Sequence, residues 1–183
     1  MAKVCIPLAE GFEDIEAVTL IDVLRRGGIE VVVAGVGGEI ITSAHNLKIT
    51  TDTIIEKVTS DDLDLVVLPG GLPGATNLAK SNEVKKLLQE MDNKGKYVGA
   101  ICAAPIALKE AGVLKDKYTA YPGWEENIRK EGYVSNAKVV EDKNVLTSKG
   151  PATAICFGLE IVKKFVGIET YNQLKAGLLA DFC

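Results

Sequence analysis

The first 36 residues alternate between short apolar runs and a segment of helical periodicity, and this alternation limits the fold more than any other feature. Ile29–Val36 is almost entirely apolar, which is typical of a parallel strand covered on both faces. Lys3–Leu8 is a similar run. Between them, Glu13–Arg26 begins with acidic and ends with basic side chains, as the helix dipole favours. The segment therefore predicts a β-α-β unit, with the core face of the helix formed by Ile15, Val18, Ile21 and Leu24.

The rest of the chain continues the same alternation. Apolar runs at Leu63–Leu68 and Tyr97–Ile101 predict further core strands, each followed by a helical segment. Paired runs around polar turns predict hairpins at residues 39–50 and 138–148, and another strand is predicted at Tyr118–Tyr121. Together these elements predict one domain, residues 1–183, with the α/β class of fold: a doubly wound sandwich with a mostly parallel sheet and helices on both faces. In such folds the functional site lies at the carboxyl ends of the strands.

The balance of charges argues against several classes of function. The chain has a net charge of −4 and no cluster of Lys or Arg, so nothing indicates nucleic-acid binding. No apolar run approaches the ~20 residues of a membrane span, and the N-terminus lacks a signal-peptide pattern. We therefore expect a cytoplasmic protein that binds neither nucleic acid nor membrane.

Four cysteines and one histidine limit the chemistry that side chains can provide. Cys5, Cys102, Cys156 and Cys183 contain no Cys-x-x-Cys pair, so neither a zinc knuckle nor a thioredoxin-type couple is indicated. In a reducing compartment we expect all four to be free thiols, with Cys5 and Cys156 in the core. The single histidine, His45, excludes a His-rich site, and no carboxylate metal motif is present, so we expect neither a metal nor a cofactor.

Cys102 lies where a strand turns into a helix. The apolar run that ends at Ile101 is a buried strand, and Ala103-Ala104-Pro105 opens a helix because proline fits the first helical turn. A thiol at such a corner faces free N–H groups and the positive end of the helix dipole, so its pKa is expected below the ordinary value of about 8.5. The alternative is a small core cysteine, and position alone leaves both interpretations open.

Three loops of the predicted sheet bring chemical groups to the same edge. Glu10–Glu16 follows the first strand, Pro69–Gly74 follows a later one, and the Cys102 corner follows the next. A cysteine mechanism needs an activated nucleophile, an oxyanion site and a proton carrier. The N–H groups of Ala103 and Gly71 are candidates for the oxyanion site. Glu16 is the candidate proton carrier, because burial beside a thiol would raise the pKa of its carboxyl.

Two alternatives for these polar groups remain open from the residues alone. Glu16 in the first helical turn is more often a solvated acid that interacts with the helix dipole. His45 is a conceivable base, although a lone loop histidine usually lies at the surface.

Other chemistries of doubly wound folds lack their motifs. A dinucleotide fingerprint would follow the first strand, but only Gly11 is present there, beside Glu10, Glu13 and Asp14, whose charges would repel a pyrophosphate. No G-x-x-x-x-G-K-[ST] and no G-x-S-x-G sequence exists, which argues against a P-loop and a serine hydrolase.

Four motifs together resemble the ThiJ/PfpI superfamily, and more closely its Parkinsonism-associated protein deglycase branch. They cover essentially the whole chain and are Gly11–Glu16, Leu68–Gly71, Ala100–Pro105 and Thr147–Pro151. The resemblance implies a flavodoxin-like fold, a homodimer and a strand-to-helix nucleophile elbow with a reactive, easily oxidised Cys102. It also implies that Glu16 is the acid that hydrogen-bonds the sulfur, and that Gly70, Gly71 and Ala103 form a backbone oxyanion site.

The resemblance implies two kinds of function. One is a cofactor-free glyoxalase or protein deglycase acting on methylglyoxal-type 2-oxoaldehydes. The other is a non-enzymatic oxidative-stress sensor or chaperone that uses oxidation of Cys102. The chain departs from some members in two places. Tyr121 replaces a histidine near Cys102, so proton transfer would depend on Glu16. His45 replaces an arginine that approaches the site from the other subunit, which suggests that His45 lines the partner's pocket.

Overall fold

The apolar runs form a seven-stranded sheet in the computed structural model, which describes residues 1–183. In spatial order the strands are β5 (Thr53–Ile54), β2 (Glu30–Gly35), β1 (Lys3–Leu8), β6 (Leu65–Leu68), β7 (Tyr97–Ile101), β9 (Val145–Ser148) and β8 (Val139–Asp142). All neighbours are parallel except the hairpin of β8 and β9. Two further strands, β3 (Ile40–Thr42) and β4 (Lys48–Thr50), form a separate antiparallel pair. Both predicted hairpins are present.

Helices cover both faces of this sheet, as predicted. They are α1 (Asp14–Arg26), α2 (Gly74–Lys80), α3 (Asn82–Asn93), α4 (Pro105–Glu110), α5 (Ala154–Phe165) and α6 (Ile168–Gly177). Side chains alternate along a strand, so Val4 and Ile6 of β1 join the core with α1 and α5, whereas Cys5 joins the core with α2, α3 and α4. The predicted fold class is therefore confirmed. No helix combines the length and the apolar character needed to cross a membrane.

The predicted core face of α1 is wrong in its first half. Ile15 and Val18 are 58% and 43% exposed, whereas the buried positions are Glu16, Ala17, Leu20, Val23 and Leu24. The helix carries two apolar stripes that share Leu24, and packing against α5 selects the one that contains Glu16. The buried face of α1 therefore contains the carboxyl group of Glu16, whereas the predicted core residues Ile15 and Val18 are exposed.

The predicted strand at Tyr118–Tyr121 is also wrong, since only an isolated bridge joins Tyr118 to Tyr133. Its main chain bonds elsewhere: the N–H of Thr119 donates to Oγ1 of Thr147 at 2.9 Å, and the N–H of Tyr121 donates to the carbonyl of Cys102 at 2.9 Å. The segment thus supports the elbow instead of extending the sheet.

Two of the four cysteines are not free thiols, contrary to prediction. Cys156 in α5 and Cys183 in the segment after α6 form a disulfide, because that segment folds back onto α5 and brings the two Cα atoms to 5.2 Å. Cys5 and Cys102 are the free cysteines, and Cys5 is buried in the core, as predicted.

Candidate active site

The candidate site lies at the carboxyl ends of three adjacent strands. From β1 the chain continues to β2 on one side and later returns to β6 on the other, so the order of strands reverses between β1 and β6. Open α/β sheets form their ligand crevices at such a switch point. The first turn of α1, which follows β1, contributes Glu16 to this crevice, and the loops after β6 and β7 contribute Gly70 and Cys102. The structure brings the three residues together.

Cys102 occupies a strained corner between β7 and α4. Its φ is +65°, in the left-handed region that side-chain-bearing residues rarely adopt. Neighbours hold this conformation: the Cys102 N–H donates to the carbonyl of Ser148 at 3.0 Å, and its own carbonyl accepts from Tyr121. The residue is partly exposed at the end of the strand.

Glu16 is fully buried beside the elbow. Its Oε2 accepts a hydrogen bond from the N–H of Gly70 at 2.7 Å, whereas its Oε1 is buried without a hydrogen-bond partner. A Cβ at position 70 would lie 2.8 Å from Oε2 and 2.7 Å from the Cβ of Cys102, so only glycine fits between the two side chains. An orphaned carboxylate oxygen in this position favours a carboxyl that keeps its proton.

The pKa values of the pair are coupled. Burial raises the pKa of Glu16 to about 7, against the opposing effects of the Gly70 N–H and the neighbouring Cys102 thiol. Burial and, next, the charge of Glu16 raise the pKa of Cys102 to about 12, although the N–H groups of Ala103 and Gly71 oppose this. The prediction of a depressed thiol pKa is therefore wrong, because burial and a neighbouring carboxylate outweigh the dipole of the short helix α4. Near neutral pH the Cys102 thiol keeps its proton while Glu16 is partly ionised, and the ionised form of Glu16 can accept the thiol proton.

The predicted oxyanion donors divide into two groups. The N–H groups of Gly71 and Ala103 both act on the sulfur of Cys102. Gly71 has a φ of +88°, and a Cβ there would lie 2.3 Å from the backbone nitrogen of Glu13, so the tight turn requires glycine. The N–H of Gly70, by contrast, is already donated to Glu16, which differs from its predicted part as an oxyanion donor.

His45 lies in the turn between β3 and β4, and its partner within the chain is Asp14. Nδ1 of His45 is 2.9 Å from one carboxylate oxygen of Asp14, and Oγ of Ser43 donates to the other. Partial burial opposes the effect, but these two hydrogen bonds hold the pKa of Asp14 below its usual range. The His45 side chain is 74% exposed. The bond with Asp14 engages Nδ1 of the His45 ring, so Nε2 points away from Asp14.

Glu13, Asp14 and His45 are the group most similar to a metal-ligand set. One ligand atom of each lies within 4.8 Å of the others. These groups already bind one another and the protein, because Glu13 accepts the N–H of Glu16 at 2.8 Å and Asp14 accepts from Ser43 and His45. We therefore assign no metal to them.

Sequence reasoning missed several residues that hold the site. Ser148 is the last residue of β9 and lies in one of the four family motifs, so its position at the same sheet edge could be predicted from the pattern. The hydrogen bond from the N–H of Cys102 to the main-chain carbonyl of Ser148 could not be predicted, because such a bond does not depend on the side chain. The contact of Asp14 with Ser43 joins residues 29 positions apart and has no local signature.

Comparison with known proteins places this geometry in a family. The sequence model of a protein family, described as "DJ-1/PfpI family", matches residues 2–164 of the chain. Protein dj-1beta of Drosophila melanogaster is 40% identical over 178 residues, covering 96% of this chain and 95% of the relative. A Caenorhabditis elegans protein named glutathione-independent glyoxalase DJR-1.2 is 35% identical over 167 residues, covering 90% of this chain and 89% of the relative.

Solved structures agree with this assignment. The crystal structure of Drosophila melanogaster DJ-1beta matches with a TM-score of 0.93 and 40% identity, covering 97% of both chains. A structure described as Toxoplasma gondii DJ-1, oxidized, matches with a TM-score of 0.93 and 34% identity, covering 98% of both chains.

Proposed function

The chain belongs to the DJ-1/PfpI family, and from this premise we propose that it is a cysteine-dependent, cofactor-free glyoxalase or deglycase of the cytoplasm. Its substrates are methylglyoxal-type 2-oxoaldehydes or their adducts with proteins. The observation that carries the proposal is the buried Glu16 carboxyl, with a pKa raised to about 7, beside the Cys102 thiol. A related protein from Caenorhabditis elegans is named a glutathione-independent glyoxalase, which supports this class of reaction.

The first half of the reaction is addition to the aldehyde. The thiol proton passes to the Glu16 carboxylate as Sγ of Cys102 attacks the aldehyde carbon. The carbonyl oxygen becomes an alkoxide, which the N–H groups of Gly71 and Ala103 stabilise until Glu16 returns the proton. The product is a neutral hemithioacetal on Cys102, and Glu16 is again ionised.

The second half moves one proton between neighbouring carbons. Glu16 removes the hydrogen of the former aldehyde carbon as a proton, and the electron pair forms an enediolate with the adjacent carbonyl. Return of this proton to the second carbon, together with transfer of the hydroxyl proton from the first oxygen to the second, leaves a thioester of a 2-hydroxy acid. Water hydrolyses the thioester, which releases the hydroxy acid and restores the Cys102 thiol. The aldehyde carbon is oxidised and the ketone carbon reduced, so no external electron carrier is needed.

Methylglyoxal consumption by purified protein tests the proposal. Cys102→Ala should abolish turnover because no nucleophile remains. Cys5→Ala is the matched control, since Cys5 is the other free cysteine, and it should retain activity. Turnover by Cys102→Ala equal to that of the unmodified protein would exclude the cysteine mechanism.

A redox sensor or redox-regulated chaperone is the second candidate for the same pocket. Two peroxide molecules would each transfer one oxygen to Cys102, giving a sulfinic acid and two molecules of water. Glu16, when protonated, and the N–H groups of Gly71 and Ala103 are suitable donors to the sulfinate oxygens. The relative from Toxoplasma gondii is described as oxidized, which favours this candidate. Mild peroxide should then add two oxygens to Cys102 before Cys5, and equal oxidation of both would contradict it.

We further propose that the protein is a homodimer formed through the first turns of α1 and the β3–β4 hairpin. Four large apolar side chains are exposed there: Ile15, Val18, Ile40 and Leu47. An apolar surface of this kind is typical of an interface between copies. His45 lies in the same hairpin, so the dimer would direct its free Nε2 toward the partner's crevice. A dimer structure with His45 far from both Cys102 residues would exclude that role.

A further inference from the structure

Two sulfur atoms lie outside the crevice of Cys102, beside the hairpin of β8 and β9. Cys156 in α5 and Cys183 in the segment after α6 form a disulfide between residues 27 positions apart. Cys156 is only 4% exposed, whereas Cys183 is partly exposed. Both residues line the same groove, and the greater exposure of Cys183 favours attack by a nucleophile from solvent at its sulfur.

Attack at the more exposed sulfur makes Cys156 the leaving group of the pair. Cys156 is the third residue of α5, a helix of 12 residues. The groove beside the disulfide has a volume of about 590 Å³ and is lined by three lysines. Lys163 and Lys164 form ion pairs with the two carboxylates of the groove, whereas Lys138 donates to a main-chain carbonyl.

The disulfide is also a main attachment of the C-terminal segment, residues 178–183. Helix α6, which precedes the segment, has no buried residue. Within the segment only Ala180 is buried, against Val23 and Leu159. Leu178 packs against the same cluster, and residues 178–180 donate main-chain hydrogen bonds to α6. Beyond these, the ammonium of Lys138 donates to the carbonyl of Phe182 and lies 6.0 Å from the centre of its ring. Loss of the disulfide would leave few contacts to hold the segment against the groove.

We propose that Cys156–Cys183 is a second redox site, a disulfide that exchanges with dithiol reductants and releases the C-terminal segment when reduced. A thiolate of the reductant attacks Sγ of Cys183, forms a mixed disulfide and expels Cys156 as a thiolate. The second thiol of the reductant then displaces Cys183 and closes its own disulfide. Two electrons and two protons pass from the reductant to the protein. Reduction opens the lysine-lined groove at the edge of β8, without involving Cys102.

The test uses the full chain with Cys102→Ala, so that failure of the proposed enzyme activity does not affect the result. The protein is equilibrated in mixtures of reduced and oxidised dithiothreitol, and free thiols are alkylated and identified by mass spectrometry. Cys156 and Cys183 should become reactive together and reversibly under native conditions, while Cys5 stays protected because it is fully buried. Reduction that occurs only after denaturant is added would overturn the proposal.

Brief exposure to glutathione, a monothiol, identifies the sulfur under attack. The mixed disulfide should form on Cys183, and its formation on Cys156 would contradict the mechanism. Hydrogen exchange then tests release: residues 178–183 should exchange about tenfold faster after reduction. The Cys156→Ser, Cys183→Ser double variant should exchange at that faster rate whether or not dithiothreitol is present. An unchanged rate after reduction would exclude release of the segment.

Discussion

Glu16 has opposite effects on Cys102 in its two protonation states. As a carboxylate it raises the pKa of the thiol and can accept its proton. As a carboxylic acid it can donate to the sulfur or to a substrate oxygen. The raised pKa, about 7, keeps both states accessible near neutral pH, which is the condition for efficient general acid–base catalysis. The burial that raises this pKa also makes folding less favourable when the carboxyl is ionised.

This destabilisation should appear as a pH-dependent difference in the free energy of unfolding between the unmodified protein and Glu16→Gln. The carboxyl ionises near its ordinary value of 4.5 in the unfolded chain but near 7 in the folded protein. Ionisation therefore favours the unfolded state as pH rises between those values. Glutamine does not titrate, so the variant should gain about 3 kcal/mol of relative stability between pH 4.5 and 7. Urea unfolding at several pH values measures this, and a difference that does not change with pH would contradict the assigned pKa.

The main residues of the site could be predicted from the sequence because each lies in the segment that follows a strand of the sheet. Parallel strands direct their carboxyl ends to one edge, so Cys102, Gly71 and Glu16 were expected to meet. The pKa of Cys102 could not be predicted, because it depends on how deeply the thiol is buried and on the charge of Glu16. The contacts of His45 with Asp14 likewise follow from the packing of the hairpin against α1.

At the level of elements, the strands were easier to predict than the faces of the helices. An apolar strand such as β6 is buried on both sides and needs no choice of face. Helix α1 has two apolar stripes, and tertiary packing decides between them. The disulfide was not predictable for a similar reason, since nothing in the spacing of Cys156 and Cys183 shows that the chain after α6 folds back.

The disulfide should contribute measurably to stability. It closes a loop of 27 residues between α5 and the C-terminal segment, for which the loss of entropy in the unfolded chain is worth about 3–4 kcal/mol. The Cys156→Ser, Cys183→Ser double variant should unfold at correspondingly lower denaturant concentration. Equal midpoints for the variant and the oxidised protein would show that the crosslink adds no net stability.

At the scale of the whole molecule, the exposed apolar side chains of α1 favour assembly. Val18 is 43% exposed in the middle of the proposed interface. Val18→Glu should place two like charges near the two-fold axis and convert the dimer to a monomer. Light scattering after size-exclusion chromatography measures the mass. Lys85→Glu in α3, on the other face of the sheet, is the control and should remain dimeric. A dimer that persists in Val18→Glu would place the interface elsewhere.

The central claim is that Glu16 in its ionised form accepts the proton of Cys102, and kcat/KM for methylglyoxal as a function of pH tests it most directly. Because the base must be ionised, the value should rise through a pKa of about 7 and then level off. Glu16→Gln should lose this rise and fall about 10²–10⁴-fold below the unmodified protein at pH 8. The same rise in Glu16→Gln, with similar rates, would contradict the account.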